Sequence, residues 1–200
     1  MTTPPTKGNL MAARRSIALA RTGYDLMDRK RNILTRELMA LIDRAAGLQK
    51  RIDGTFAMAY ASLQAANITL GIVSDVAGEV PEDDGLTLRY RSVMGVELPT
   101  VHYEERPFRP QYGFFETNSA LDDAYMRFTQ VKKLVRELAE VEISIYRLAV
   151  AVKKTRKRAN ALDNIVIPRL KKTISEISDA LEEREREEFA RLKVLKARAQ

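Results

Sequence analysis

The chain of 200 residues has no cysteine, no tryptophan and a single histidine. Without cysteine it forms neither disulfides nor thiolate metal sites, a composition that fits a reducing compartment. One histidine excludes zinc sites of the two-His or Cys/His kind. Only 6% of residues are aromatic, too few for a thick globular core, so burial must be line-like. No segment fits the G-x-x-x-x-G-K-[ST] phosphate loop or the G-x-S-x-G nucleophile turn. The lone His102 reads as a surface residue, and the adjacent acids Asp122-Asp123 and Glu104-Glu105 read as solvated carboxylates. No catalytic apparatus, cofactor site or metal site is expected. The N-terminus lacks an apolar h-region, so no signal peptide is expected. The longest run without charge, Gly54 to Ser74, contains Thr55, Ser62, Gln64, Asn67 and Thr69. It is too polar for a good spanning helix, and no direct membrane span is expected.

What the chain does contain is two long heptad seams. The first reads Ala13, Ile17, Ala20, Tyr24, Met27, Arg31, Leu34, Leu38, Leu41, Ala45, Leu48 and Ile52. After a one-residue slip it continues as Ala59, Leu63, Ala66, Leu70 and Val73. The second reads Leu134, Leu138, Val141, Ile145, Leu148, Val152, Thr155, Ala159, Leu162 and Val166. Alternating steps of three and four hold one narrow stripe toward a partner helix, the condition for a coiled coil. The expected fold is all-α: a long antiparallel two-helix coiled coil with a short β-hairpin and irregular segment at the turn end.

Breakers set the divisions. Residues 1–77 are expected to be an N-terminal shaft helix, 78–116 an irregular segment and 117–200 a C-terminal shaft helix, all within one elongated domain. Asn9 can cap a helix starting near Leu10, and Gly78 with Pro81 would end it after about Val76. Gly23, Gly47, Gly54 and Gly71 lie within that span; each costs about 1 kcal/mol against alanine, so either the seam overrides them or a neighbour comes close. Leu86 to Ser92 and Val96 to Tyr103 read as strands around a Met94-Gly95 turn. Such a hairpin is marginal alone and should lean on the charge-free face of residues 54–74. A second helix should start at Thr117, Asn118 or Ser119 and be kinked by Pro168. Near that proline the apolar residues Leu162, Val166, Leu170 and Ile174 step by fours, which locally unwinds a left-handed supercoil.

Charge is unevenly distributed. Residues 1–60 carry 11 basic and 5 acidic side chains, 75–123 carry 4 and 11, and 124–200 carry 19 and 11. In a hairpin of helices the end holding both termini is therefore basic and the turn end acidic. Lys153, Lys154, Arg156, Lys157 and Arg158 form the densest basic cluster. Five charges in six residues point most of the way round a helix, and no aromatics interleave, so a nucleic-acid partner is not expected. A nucleic-acid-associated coiled-coil protein is the alternative reading, against which the acidic middle stands. Glu182 with Arg186 and Glu187 with Arg191 are i,i+4 pairs with the acid first, the better orientation. Arg31 lies on the seam and should snorkel out or meet an acid from the second helix.

The chain opens with Pro5-Thr6-Lys7-x-Asn9-Leu10 and Gly23-Tyr24-Asp25-Leu26-Met27-Asp28-Arg29-Lys30-Arg31. Its middle holds Ser92-Val93-Met94-Gly95-Val96-Glu97-Leu98-Pro99. Toward the C-terminus stand Lys157-Arg158-Ala159-Asn160-Ala161-Leu162-Asp163-Asn164-Ile165-Val166-Ile167-Pro168 and Leu181-Glu182-Glu183-Arg184-Glu185-Arg186-Glu187-Glu188-Phe189. In this order they resemble the opening, the middle and the C-terminal signature of the D-subunit family of the V-type (archaeal/vacuolar-type) rotary ATPases. Tyr24 departs from the family, where histidine is commoner, and bears on packing alone.

The resemblance implies a non-catalytic central rotor shaft, cytoplasmic and peripheral to the membrane. Its paired termini would enter the head of catalytic A and B subunits. The small F subunit would dock on its side, and a socket subunit (C, or d) would link it to the membrane ring. Within that picture Arg14, Arg15, Arg21, Arg191, Lys193 and Lys196 are the candidate head contacts. Lys153, Lys154, Arg156, Lys157, Arg158 and Pro168 would make one shaft face unlike the others. Met58, Tyr60, Leu63, Ile68 and Ile72 are candidates for covering by the F subunit or by the hairpin.

Overall fold

The computed structural model describes residues 4–78, 80–81, 85–104, 112–113 and 117–198. Glu105 and much of the expected irregular segment lie outside the described residues. The described elements are α1 (Lys7–Leu70), α2 (Ser74–Gly78), β1 (Leu86–Val93), β2 (Val96–Tyr103), α3 (Ser119–Ala161), a π-helical turn (Leu162–Val166) and α4 (Ile167–Arg198). The fold is all-α, an antiparallel coiled coil of two helical segments with one small hairpin. It divides into a central unit, Leu34–Ala151, and a terminal unit, Met1–Ile33 with Val152–Gln200.

In the central unit the seam is the core. Leu34, Leu41, Leu48, Ile52, Ala59 and Ala66 of α1 are buried, as are Leu121, Ala124, Val131, Leu134, Val141 and Leu148 of α3. Each fully buried leucine contributes about 2–3 kcal/mol of burial, so a single file of them can hold a pair of helices. The helices run antiparallel: Tyr60 meets Phe128 edge-on at 5.6 Å, and the Asn118 side-chain amide donates to Thr69 Oγ1 at 2.7 Å.

The first helix is shorter than its expected end near Val76. It stops at Leu70 because Gly71 adopts φ +81°, the left-handed cap conformation, with its N–H still donating to Asn67 O at 3.0 Å. The chain then makes the single short turn of α2. Asn118 caps α3, its Oδ1 accepting from the Leu121 N–H at 3.1 Å. Around this end Ala66, Val73, Tyr112 and Leu121 form a buried cluster, flanked by Leu63, Leu70, Val76 and Tyr125.

The hairpin has the expected register, from Val93 opposite Val96 to Leu86 opposite Tyr103. Met94 (φ 51°) and Gly95 (φ 76°) both take positive φ, the signature of the type I′ turn whose twist suits a two-residue loop. Its support differs from the expected apolar stretch 54–74. Arg91 pairs with Glu37 of α1 at 3.1 Å, the Val101 N–H donates to Glu140 Oε2 at 2.8 Å, and Arg147 donates to Glu97 O at 3.0 Å. Arg136 lies 3.5 Å over the Tyr103 ring. Polar groups of α1 and α3 hold the hairpin, and Leu98 supplies the buried apolar anchor.

In the terminal unit the core is thinner. Ala13, Ile17, Ala20, Tyr24 and Met27 are half-buried, against fully buried Thr155, Ala159, Ile167 and Ile177. Lys7 Nζ lies 3.0 Å from Glu185 Oε1, Arg184 donates to Pro5 O at 3.2 Å, and Leu162 lies 3.8 Å from where a Cβ of Gly23 would stand. These contacts fix the antiparallel pairing of the two termini.

At the expected proline kink the structure has a π-helical turn. The Ile167 N–H reaches back to Leu162 O, five residues away, directly before Pro168. Proline has no N–H to give, and its ring crowds the carbonyl four residues back; widening the preceding turn accommodates both. The extra residue re-phases the seam. Ile167 is 8% exposed and Val166 37%, so the buried step runs from Leu162 to Ile167 and the expected Val166 is turned out. Of the two outcomes expected for Arg31, the structure shows the first: it snorkels out, pairing with Asp28 of its own helix and reaching Asn32 while staying partly in solvent.

Candidate functional site

The surfaces that can meet other proteins follow from which side chains the seam leaves outside. In the terminal unit Arg14, Arg15 and Arg21 project from the exposed side of α1, and Arg191, Lys193 and Lys196 from α4. The Lys7–Glu185 contact sets their level. Arg191 to Lys196 lie past the start of α1, while Arg21 lies fourteen residues the other way. At 1.5 Å per residue the six cations are spread over about 40 Å of axis rather than gathered in one patch. The tip beyond Glu185 also exposes Phe189, Leu192, Val194 and Leu195, which reasoning from charge alone passed over.

Lys153, Lys154, Arg156, Lys157 and Arg158 are all exposed and surround the inward-facing Thr155 and Ala159. They clothe the helix on its free sides, as their spacing requires. Pro168 is exposed, one residue past the π-helical turn.

In the central unit the apolar stretch divides. Leu63 packs against the buried cluster, whereas Met58, Tyr60, Ile68 and Ile72 are exposed, the last two at 85% and 88%. Tyr60 stacks on Phe56 at 5.8 Å as well as meeting Phe128. Beside Met58, a shallow groove is lined by Lys50, Arg51, Gly54 and Thr55 of α1 with Gln130, Lys133 and Glu137 of α3.

Tyr112 was not legible as a core residue, standing among the glycines and prolines of the connecting segment. Its hydroxyl donates to Asp122 Oδ1, and its ring meets Tyr125 edge-on at 5.4 Å. Burial, then the hydrogen bond and charge of Asp122, push the phenol pKa well above its ordinary value. The result is a neutral latch, not a reactive group. Among the described residues there is no cluster of three metal-ligating side chains, and no helix is long and apolar enough to cross a membrane.

Such an arrangement offers paired helices and exposed faces, and the sequence that builds it matches known proteins over most of its length. The family model describing the D subunit of ATP synthase matches residues 9–197. The chain belongs to the ATP synthase D-subunit family. It is 48% identical over 198 residues to the V-type ATP synthase D subunit of Thermotoga neapolitana, covering 98% of each chain. It is 36% identical over 198 residues to the A-type ATP synthase D subunit of Thermococcus sibiricus, covering 96% of this chain and 92% of that one. The A-type ATP synthase D subunit of Methanosphaera stadtmanae is 38% identical over 197 residues, with the same coverage. As a member of this family the chain is a non-catalytic stalk subunit of a rotary ATPase.

Proposed function

We propose that this member of the D-subunit family is the central rotor shaft, coupling ATP hydrolysis or synthesis in a head of catalytic A and B subunits to ion translocation through a membrane ring. The observation that carries the reading is the antiparallel pairing of the termini by Lys7 with Glu185 and by Arg184 with Pro5, beside a family match over residues 9–197. A pair of helices has no threefold symmetry. Three equivalent head sites gripping it would each meet a different face, and differential contact would hold them in different states. Rotation would carry that bias round the head.

In this reading Arg14, Arg15, Arg21, Arg191, Lys193 and Lys196 meet the head, spread along the shaft as a bearing requires. The cations 153–158, on the free sides of their helix, and Pro168 would make the surface of the shaft uneven around its axis. The exposed Met58, Tyr60, Ile68 and Ile72, of which Met58 borders the groove, receive the F subunit. A socket subunit (C, or d) makes the indirect link to the ring, and the chain is peripheral to the membrane on its cytoplasmic side. The nucleic-acid alternative gains no observation in its favour.

The test is joint charge reversal. Arg14→Glu, Arg15→Glu, Arg191→Glu and Lys193→Glu in one assembled ATPase should lower ion transport per ATP hydrolysed by about ten-fold, the scale of losing roughly 1.4 kcal/mol of coupling free energy. Single reversals should do little. Unchanged transport per ATP in the quadruple variant refutes the assignment of these residues.

A further inference from the structure

The two strands of the hairpin have unlike outer edges. In an antiparallel pair, residues alternate between those bonded across the ladder and those whose N–H and C=O point away from it. Three observations fix the phase. Pro99, which has no N–H, stands opposite Tyr90; the Val101 N–H leaves the sheet for Glu140; and Glu97 O leaves it for Arg147. So residues 97, 99 and 101 turn their backbone outward on β2, where α3 and the proline close the edge. Their partners Ser92, Tyr90 and Leu88 turn theirs outward on β1. Among the described residues nothing hydrogen-bonds to that edge, and β1 is exposed from Leu86 to Ser92.

An open edge of this length is a template for strand addition, and native sheets ordinarily block one with charged side chains, lysine above all, with proline or with a bulge. No proline, lysine or bulge stands on β1, whose charges are Arg89 and Arg91; of its outward-turned residues Leu86, Leu88, Tyr90 and Ser92 the first three are apolar or aromatic, and all four are exposed. The two cations of β1 lie on the opposite side-chain face. Arg91 is held by Glu37, while Arg89 is exposed and, among the described residues, has no ion-pair partner. Pairing β1 with a second copy of itself would set these arginines against one another, which is unfavourable across strands.

We propose that β1 accepts an added strand from another subunit of the assembly. That segment is extended, presents apolar side chains beside Leu88 and Tyr90, and places an acidic side chain opposite Arg89. Main-chain bonds would supply the attachment, and Arg89 with the apolar pair the selectivity. The inference rests on membership of the ATPase and is independent of which residues meet the head.

Residue-resolved amide hydrogen exchange on the assembled ATPase and on the isolated chain tests it. The Leu88, Tyr90 and Ser92 amides should exchange freely in the isolated chain and about ten-fold or more slower in the complex. Leu88→Pro removes one outward N–H without touching the internal ladder, and should abolish the added protection of Tyr90. Arg89→Glu, at an exposed site that leaves the hairpin intact, should weaken it. Equal exchange rates in complex and isolated chain, with the chain still bound, overturn strand addition alone. Protection that Arg89→Glu leaves unchanged overturns the acidic partner, and protection rising with concentration in a self-associating isolated chain shows a second copy on the edge and overturns the proposal. Absence of the chain from the purified complex would count against the stalk reading, a separate failure.

Discussion

Tyr112 concentrates the physics of the connecting segment in one side chain. Its ring closes the cluster of Ala66, Val73 and Leu121, and its hydroxyl satisfies Asp122 in the first turn of α3. Both burial and the neighbouring carboxylate favour the neutral phenol. The folded pKa is therefore raised above the unfolded value of about 10. Stability from this group is fully present below pH 10 and is lost as pH rises from there toward the folded pKa. Denaturant unfolding of the isolated chain should thus show stability falling above pH 10, and Tyr112→Phe should remove that group's share of the fall. At neutral pH the same variant should cost about 1–3 kcal/mol, because Asp122 loses its donor. An identical alkaline profile in the variant would show that the latch does not hold the fold. Arg31 teaches a related lesson at a seam position. Its charge is not buried against the other helix but drawn out to Asp28, so the seam tolerates it by snorkelling.

Elements were legible where period and punctuation agree. Steps of three and four named the buried residues of α1 from Leu34 to Ala66, and Met94-Gly95 named the turn, because both signals are local. They failed where backbone chemistry overrides the period. Gly71 had nothing in the pattern to distinguish it from Gly54, yet one caps the helix at positive φ and the other lies inside it with nothing near its absent Cβ. Gly71→Ala should cost about 1–2 kcal/mol for forcing a side chain into the left-handed region, whereas Gly54→Ala should stabilise by up to about 1 kcal/mol. Thermal unfolding reads both, and equal signs would deny the cap. At the π-helical turn, the spacing by fours placed Val166 inside; the missing N–H of Pro168 inserts a residue and puts Ile167 there instead. Ile167→Ala should therefore cost about 2–5 kcal/mol, and Val166→Ala under about 1 kcal/mol. The reverse ranking would restore the uninterrupted seam. The support of the hairpin was illegible for a different reason: Glu37, Arg136, Glu140 and Arg147 are scattered charged residues that carry no periodic signal.

At the scale of the whole molecule the two units differ in sign. The terminal unit carries 21 basic and 10 acidic side chains, net +11, and the central unit 13 and 17, net −4. That asymmetry was legible in the sequence, but the contact surface was not. A contact is defined by a partner's contours, and six cations strung along two helices look alike whether they touch a protein or water. Long-range charge supplies a test that needs no knowledge of those contours. If the terminal unit enters the head through its cations, attraction guides the encounter over distances that salt removes: the screening length shrinks from about 10 Å at 0.1 M to about 3 Å at 1 M. The rate at which the chain joins a head of catalytic subunits should then fall about ten-fold or more between 0.05 M and 0.5 M salt. The quadruple reversal at Arg14, Arg15, Arg191 and Lys193 should flatten that dependence. If the exposed Phe189, Leu192 and Leu195 of the tip govern entry instead, the rate should hold or rise with salt, since apolar burial is not screened. A salt-independent rate would thus transfer the bearing from the cations to the apolar tip.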